Sequence, residues 1–277
     1  MRGFVITLST LVLIVLLVSL TSSLQNSYLS MERALTEPRA MLYAAFLFDA
    51  VGNDVNEIAG PVLDIIELNT SMQIYIADEV ENNNYSIWLA EYENLIENTM
   101  ANQTHATVAM NLENISNGTL SMEINSRYNY WNSIPEKKMK FWAQGNTSAS
   151  VYELNLSAMK ERDHISYPSD VPGGDMEITI ISTDSNGTVS QTISLSSETS
   201  STCEWAFTDG SYVEIQFGKN DGSNSGALWI IAEDVNATFS FIATVPKINE
   251  SEKLGYQYDA MMNYSQGKIS KNAKIGK

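Results

Sequence analysis

From Phe4 to Leu20 the chain reads FVITLSTLVLIVLLVSL, uncharged and interrupted only by Thr7, Ser9, Thr10 and Ser19, whose hydroxyls can bond back to their own helix. At about 1.5 Å per residue, such a helix spans most of a hydrocarbon layer roughly 30 Å thick, and residues 21–24 complete the crossing. The pattern predicts a transmembrane helix within residues 1–25. Arg2 and the α-amino group lie on one side and the first charges on the other are Glu32 and Arg33, so the basic flank is cytoplasmic and the body extracytoplasmic. A removable secretory signal is the competing reading, with Thr21 and Ser23 at the small-residue spacing of a cleavage site. Its apolar region would exceed the usual run of about 7 to 15 residues.

Residues 26–104 read as a helical stalk carrying a small hairpin and an amphipathic helix. Residues 22–35 can prolong the first helix; Thr36 then offers an N-cap and Pro38 falls in the first turn of a helix over Ala40–Val51 (AMLYAAFLFDAV), apolar on nearly every face, with a stop at Gly60-Pro61. A helix apolar all round has to be covered, by its own body or by another chain. Residues 62–68 and 72–76 are apolar runs split by Asn69-Thr70-Ser71, a hairpin that sets Ile66 opposite Ile74. From Ser86 onward Trp88, Tyr92, Leu95, Ile96 and Met100 recur at helical spacing and predict one buried stripe.

Over residues 105–246 the period shortens to two, with turn signals at Asn117-Gly118, Asn186-Gly187, Asp209-Gly210 and Gly222. This predicts an antiparallel β domain. A two-residue Asn186-Gly187 turn sets Ile180 opposite Ile193, Ile178 opposite Leu195, Thr179 opposite Ser194 and Thr183 opposite Ser190, one face apolar and the other rich in hydroxyls. For the next hairpin a three-residue loop, Thr208-Asp209-Gly210 with Gly210 left-handed, sets Trp205 against Val213 and Cys203 against Ile215. Residues 227–232 and 237–245 read as further strands, the second with Phe239, Phe241, Ala243 and Val245 on one face. Lysines at 247, 253, 268, 271, 274 and 277 make residues 247–277 a basic polar tail. The fold class expected is α+β: an N-terminal transmembrane helix and helical stalk, then an antiparallel β-sandwich-like body.

A formal charge of −17 and a pI near 4.4 disfavour nucleic acid and anionic lipid as partners. Cys203 is the single cysteine, so it forms no internal disulfide and reads as a small core residue, and with only His105 and His164 beside it there is almost no raw material for a thiolate or imidazole metal site. No metal, cofactor or catalytic residues are assigned. Asp221-Gly-Ser-Asn-Ser-Gly226 alternates oxygen side chains like a diluted calcium loop but lacks the carboxylates and the closing glutamate. Neither histidine lies beside a G-x-S-x-G elbow.

N-x-[ST] acceptor sites for N-glycosylation stand at Asn69, Asn84, Asn102, Asn114, Asn117, Asn146, Asn155, Asn186, Asn236, Asn249 and Asn263. The opening Met1-Arg2-Gly3-Phe4, a basic residue and a glycine before an apolar helix that starts with Phe, resembles the processing site of type IV pilins and archaeal pilin-like proteins, with Leu8 where bacterial pilins carry a glutamate. The resemblance covers about the first 25 residues. It implies cleavage between Gly3 and Phe4 and packing of the helix against copies of itself or other pilin-like subunits. The expected protein is thus a membrane-anchored, single-pass surface protein, held in lipid through residues 4–24, serving as a pilin-like filament subunit or a structural or adhesive display module. The alternative is an anchored carbohydrate- or ligand-binding ectodomain whose Trp131, Trp142 or Trp229 stacks on sugars; an exported hydrolase is a third.

Overall fold

The computed structural model describes residues 2–59, 61–79, 85–100, 106–125, 127–144, 148–220, 224–247, 255–266 and 269–276, the side chains of residues 2–18, 20, 28–38, 79, 85, 100, 220 and 224 lying outside that description. Helix α1 (Arg2–Ala59) leads into a hairpin of β1 (Val62–Glu67) and β2 (Ser71–Glu79), then α2 (Tyr85–Asn94), which ends in a π-helical turn, Leu95–Met100. Next come β3 (Thr107–Asn111), the single-turn α3 (Glu113–Ser116), and a meander of β4 (Thr119–Ile124), β5 (Tyr128–Ser133) and β6 (Lys138–Ala143). Then follow β7 (Val151–Ala158), β8 (Arg162–Ser166), β9 (Met176–Asp184), β10 (Gly187–Leu195), β11 (Ser201–Phe207) and β12 (Tyr212–Asn220). Last are β13 (Asn224–Glu233), β14 (Ala237–Pro246), β15 (Tyr256–Gln266) and β16 (Ile269–Gly276).

The strands form two sheets, one of six in the order β1-β2-β14-β7-β9-β10 and one of ten in the order β16-β15-β4-β5-β6-β13-β12-β11-β8, with β3 also paired to β15. Alternating side chains of the facing strands fill the space between them. Phe141 of the larger sheet meets Phe241 of the smaller at 5.2 Å between ring centroids, and Tyr152 bridges Phe141 and Phe217 at 6.3 and 6.2 Å. Cys203 is buried in this core, and burial, with Glu204 nearby, pushes its thiol up to about 12. β7 and β9 pair in parallel because the chain crosses to the larger sheet as β8 between them.

Helix α1 covers the β15–β16 end of the larger sheet. Ala40, Ala44, Leu47, Phe48, Val51, Val55 and Ala59 form its buried stripe. Gly52 lies in this contact: a Cβ there would sit 2.6 Å from the Gly276 carbonyl oxygen. The Tyr258 hydroxyl donates to Asn56 from β15, Lys271 of β16 places its ammonium 4.2 Å from the Phe48 ring centroid, and Tyr92 of α2 donates to Asp54 at 2.7 Å.

Several expectations are corrected. The described residues are mostly strand, arranged in two sheets, rather than an α+β stalk and body. Among the described residues no helix is long and apolar enough to cross a membrane. This overturns the transmembrane helix within residues 1–25 and the single-pass anchoring of the body through residues 4–24. The described part of α1 is broken by Thr21-Ser22-Ser23, Gln25-Asn26-Ser27, Asp49, Asp54 and Glu57, and its apolar stripe is covered by β-structure; the side chains of residues 4–18 and 20 lie outside the description. The stalk is likewise absent as a separate body, since the second half of α1 packs on β15 and β16. α1 runs unbroken through Thr36 and Pro38, so no new helix starts there.

Residues 247–277 are not a polar tail: they supply β15 and β16, with Tyr258, Ala260, Met262, Tyr264 and Ile275 buried. An acidic sheet neighbour accounts for one of the lysines, Lys274 lying 3.6 Å from Glu123. The β1–β2 hairpin sets Ile65, not Ile66, opposite Ile74, because the Leu68 N–H donates to the Ser71 carbonyl and closes a two-residue turn. In α2 and its π turn the buried side chains are Leu89 and Ile96, while Trp88 is 64% exposed and Leu95 is exposed as well. The stripe keeps helical spacing through the half-buried Tyr92 but runs one position off Trp88 and Leu95.

Candidate functional site

The six-stranded sheet and the helices cover one face of the ten-stranded sheet, so the outward residues of its central strands form an open surface. Along β6, Met139, Phe141 and Ala143 point into the core and Lys138, Lys140 and Trp142 point out, as strand alternation requires. Register then decides the neighbours. Lys140 lies opposite Trp131 of β5 on one side and opposite Trp229 of β13 on the other. Its ammonium stands 3.8 Å from the centroid of the Trp229 ring and 5.1 Å from that of Trp131. The two tryptophans are therefore two strand spacings apart, about 10 Å, with a cation between them. Trp142 lies opposite Asn129 on the same face, and Gln144 donates to the Asn129 side chain at 3.1 Å. All three tryptophans are half-buried on the outward face, with surface left to solvent.

The charges around this platform are arranged unevenly. Lys137, Lys160, Lys219, Lys247 and Lys274 each lie within 3.6 Å of a carboxylate, on Asp234, Asp209, Glu198, Glu67 and Glu123. Lys138 and Lys140 have no carboxylate partner among the described residues. Glu214, which flanks the platform on β12, accepts instead from the Gln216 amide.

A second depression, about 540 Å³, lies on the outer face of the six-stranded sheet, floored by small residues, Ala77, Ser157, Thr183, Thr238 and Ser240, with Tyr75 at one side and Asn155 among them. Beneath its end Asp78 accepts from Tyr130 at 2.6 Å and from Asn132 at 3.0 Å, a tie between the two sheets. Burial first, and then the Asp78 charge, hold the Tyr130 hydroxyl well above its ordinary range. These contacts fix sheet against sheet and leave no nucleophile poised beside a base.

Among the described residues no group of three or more His, Cys, Asp or Glu is placed to hold a metal ion. His164 lies exposed on β8, its Nδ1 2.9 Å from Asp163. His105 and residues 221–223 of the calcium-like segment fall outside the described residues. Gly3 and Phe4 are in the first turns of α1, with their side chains outside the description. Of the acceptor asparagines, Asn69, Asn114, Asn117, Asn155, Asn186, Asn236 and Asn263 are all exposed, Asn263 on β15 lying on the outward face of the same sheet as Trp131, Lys140 and Trp229; Asn84, Asn102, Asn146 and Asn249 are outside the described residues.

Sequence reasoning had Trp131, Trp142 and Trp229 as candidates but missed Lys138 and Lys140. The signal was the stretch KMKFW, where an inward Met139 and Phe141 force both lysines and Trp142 onto the other face. No family model matches the chain, and no curated protein and no solved structure is significantly similar to it.

Proposed function

We propose that the chain is a non-catalytic binding module, of the adhesive display kind, that takes carbohydrate on the open face of its ten-stranded sheet. The observation that carries this is the grouping of Trp131, Trp142 and Trp229 around Lys140 on one flat face. The C–H face of a pyranose ring stacks on an indole, and hydroxyls at its rim find amide donors and acceptors such as Asn129, Gln144 and Gln216. A flat strip fits an extended chain of sugars better than a single buried ligand. The test is affinity electrophoresis of the full chain through a panel of soluble polysaccharides, followed by titration of the retained ones. The double variant Trp131→Ala/Trp229→Ala should lose at least about tenfold in affinity, some 1.4 kcal/mol, while Trp88→Ala, an exposed tryptophan elsewhere, should bind as the parent does. Equal mobility of parent and double variant in every polysaccharide would refute the proposal.

A second reading, assembly with copies of itself, is favoured by α1. On the face turned away from β16, Leu42 is 72% and Phe46 67% exposed, with Met41 beside them, three large apolar side chains together on one helix. The pilin-like opening at Met1–Phe4 supports the same reading. Sedimentation of the parent as an oligomer, and of Leu42→Glu/Phe46→Glu as a folded monomer, is the expected result; a parent that sediments as a monomer at every concentration excludes it.

A further inference from the structure

We infer that the platform prefers acidic saccharides, those bearing a carboxylate on the ring, over neutral ones. The inference rests on the carbohydrate-binding reading above and names its substrate class. Three observations carry it. First, Lys140 offers its ammonium to two indoles and to no carboxylate of the described chain, so its outward N–H direction is left for a ligand. An indole face does not neutralise a cation as a carboxylate does; the charge persists and still attracts an anion. Second, Lys138 projects from the same strand two residues away, about 7 Å along it, and is also without a carboxylate partner. Third, the carboxylates of this face do not reach the pair: Glu123 lies 3.6 Å from Lys274, and Glu214, which accepts from Gln216, stands two strands away from Lys138.

In a chain of formal charge −17, two cations without a carboxylate partner, one of them between aromatic rings, form a local positive spot in a repelling field. Long-range attraction cannot draw an acidic polymer to such a protein. Capture therefore requires stacking and ion pairing together, and this favours a sugar acid over an acidic peptide, which has the charge without the stacking face.

The experiment compares three probes by calorimetry on the full chain: an oligogalacturonate, its methyl ester, and a polyglutamate peptide of similar length. The parent should bind the oligogalacturonate at least tenfold tighter than the ester and show no measurable binding of the peptide. Lys140→Met, which keeps the apolar stem between the rings, should bring the oligogalacturonate down to the ester's affinity, and Trp131→Ala/Trp229→Ala should weaken both sugars. Equal affinity for acid and ester overturns the acidic preference and leaves carbohydrate binding standing. Peptide binding as tight as the sugar acid's, insensitive to the tryptophans, overturns it by reducing the face to a charged patch. Binding of neither sugar, together with failure of the polysaccharide panel, sinks both readings.

Discussion

Lys140 owes its position to two rings, and what those rings contribute to folding can be separated from what they contribute to binding. A cation–π contact at a partly exposed site adds about 0.5–1 kcal/mol. Lys140 makes two, at 3.8 and 5.1 Å. Lys140→Met should therefore lower the free energy of unfolding by no more than about 2 kcal/mol, read as a shift of the urea midpoint with unchanged slope. A larger loss would mean that the lysine is a structural strut, and the binding results on that variant would have to be judged against its unfolding. The same scale explains a misreading. Trp88 and Leu95 look like core from spacing alone, yet both are exposed, because α2 docks through the neighbouring line of Leu89, Tyr92 and Ile96, with the Tyr92 hydroxyl held by Asp54 of α1. Both lines have helical spacing, and the choice between them is made by contacts that no local pattern contains.

The docking of α1 turns on Gly52, where two element-level preferences oppose each other. In a helix interior, Gly→Ala ordinarily gains about 0.8–1 kcal/mol. Here the new Cβ would stand 2.6 Å from the Gly276 carbonyl oxygen and 3.1 Å from its carbon, backbone atoms that cannot swing aside. Gly276 is itself pinned, since a Cβ on it would fall 2.1 Å from the Tyr256 carbonyl oxygen. Overpacking of this kind costs about 1–3 kcal/mol. Gly52→Ala should thus destabilise by roughly 1–2 kcal/mol against its propensity, and Gly52→Val by more, in urea unfolding. A stabilised Gly52→Ala would show that α1 does not pack on β16. The hairpins show which parts of an element are legible beforehand. Gly210 has φ of +87°, the three-residue loop is thereby fixed, and the pairs Trp205–Val213 and Cys203–Ile215 follow from the sequence. At Asn186-Gly187 the expected register is two residues off: Ile178 pairs with Ile193 and Thr179 with Thr192, and Thr183 with Thr188. Asp184 accepts the Asn186 N–H at 2.8 Å and Asn186 donates to the Arg162 carbonyl at 3.1 Å, moving the turn one residue earlier through contacts no local pattern contains. A two-residue slip preserves the faces, so the hydroxyl-rich side survives with new partners, Thr179–Thr192 and Thr183–Thr188. The one-residue slip in β1 does not, and it leaves Ile66 exposed. The platform obeys the same logic. Its tryptophans could be named from the sequence, but only the pairing of β6 with both β5 and β13 brings Lys140 between two of them.

At the scale of the whole molecule, the two sheets are joined by a core in which tyrosines replace some of the expected aliphatic residues, and this sets the response to alkali. Tyr130, Tyr152 and Tyr258 are fully buried. Burial is the largest cause that raises each hydroxyl above its ordinary range; the charge of Asp78 adds to the effect at Tyr130, and neighbouring Tyr256 and Asp78 at Tyr258. Each hydroxyl also has a fixed acceptor: Asp78 for Tyr130, the Gly226 carbonyl at 2.7 Å for Tyr152, and Asn56 for Tyr258. A tyrosine becomes charged on losing its proton, so a folded-state value above the unfolded one near 10 gives a contribution fully present below about pH 10 and lost as the pH rises toward the folded value. Each such group removes about 1.4 kcal/mol per pH unit in that window, and three remove roughly 4. A domain with an ordinary stability of about 5–15 kcal/mol would exhaust it within about one to four units. The expected titration therefore has two phases. The more accessible of the thirteen tyrosines ionise first with the sheet signal intact, and the buried ones then ionise together, coincident with loss of the far-ultraviolet circular dichroism of the sheets. Tyr152→Phe should reduce the alkaline slope of stability by about a third while lowering stability at neutral pH by about 1 kcal/mol for the lost hydrogen bond. A single smooth rise of phenolate absorbance near pH 10, with the fold retained, would mean that these hydroxyls are open to water and that the two sheets do not close over them.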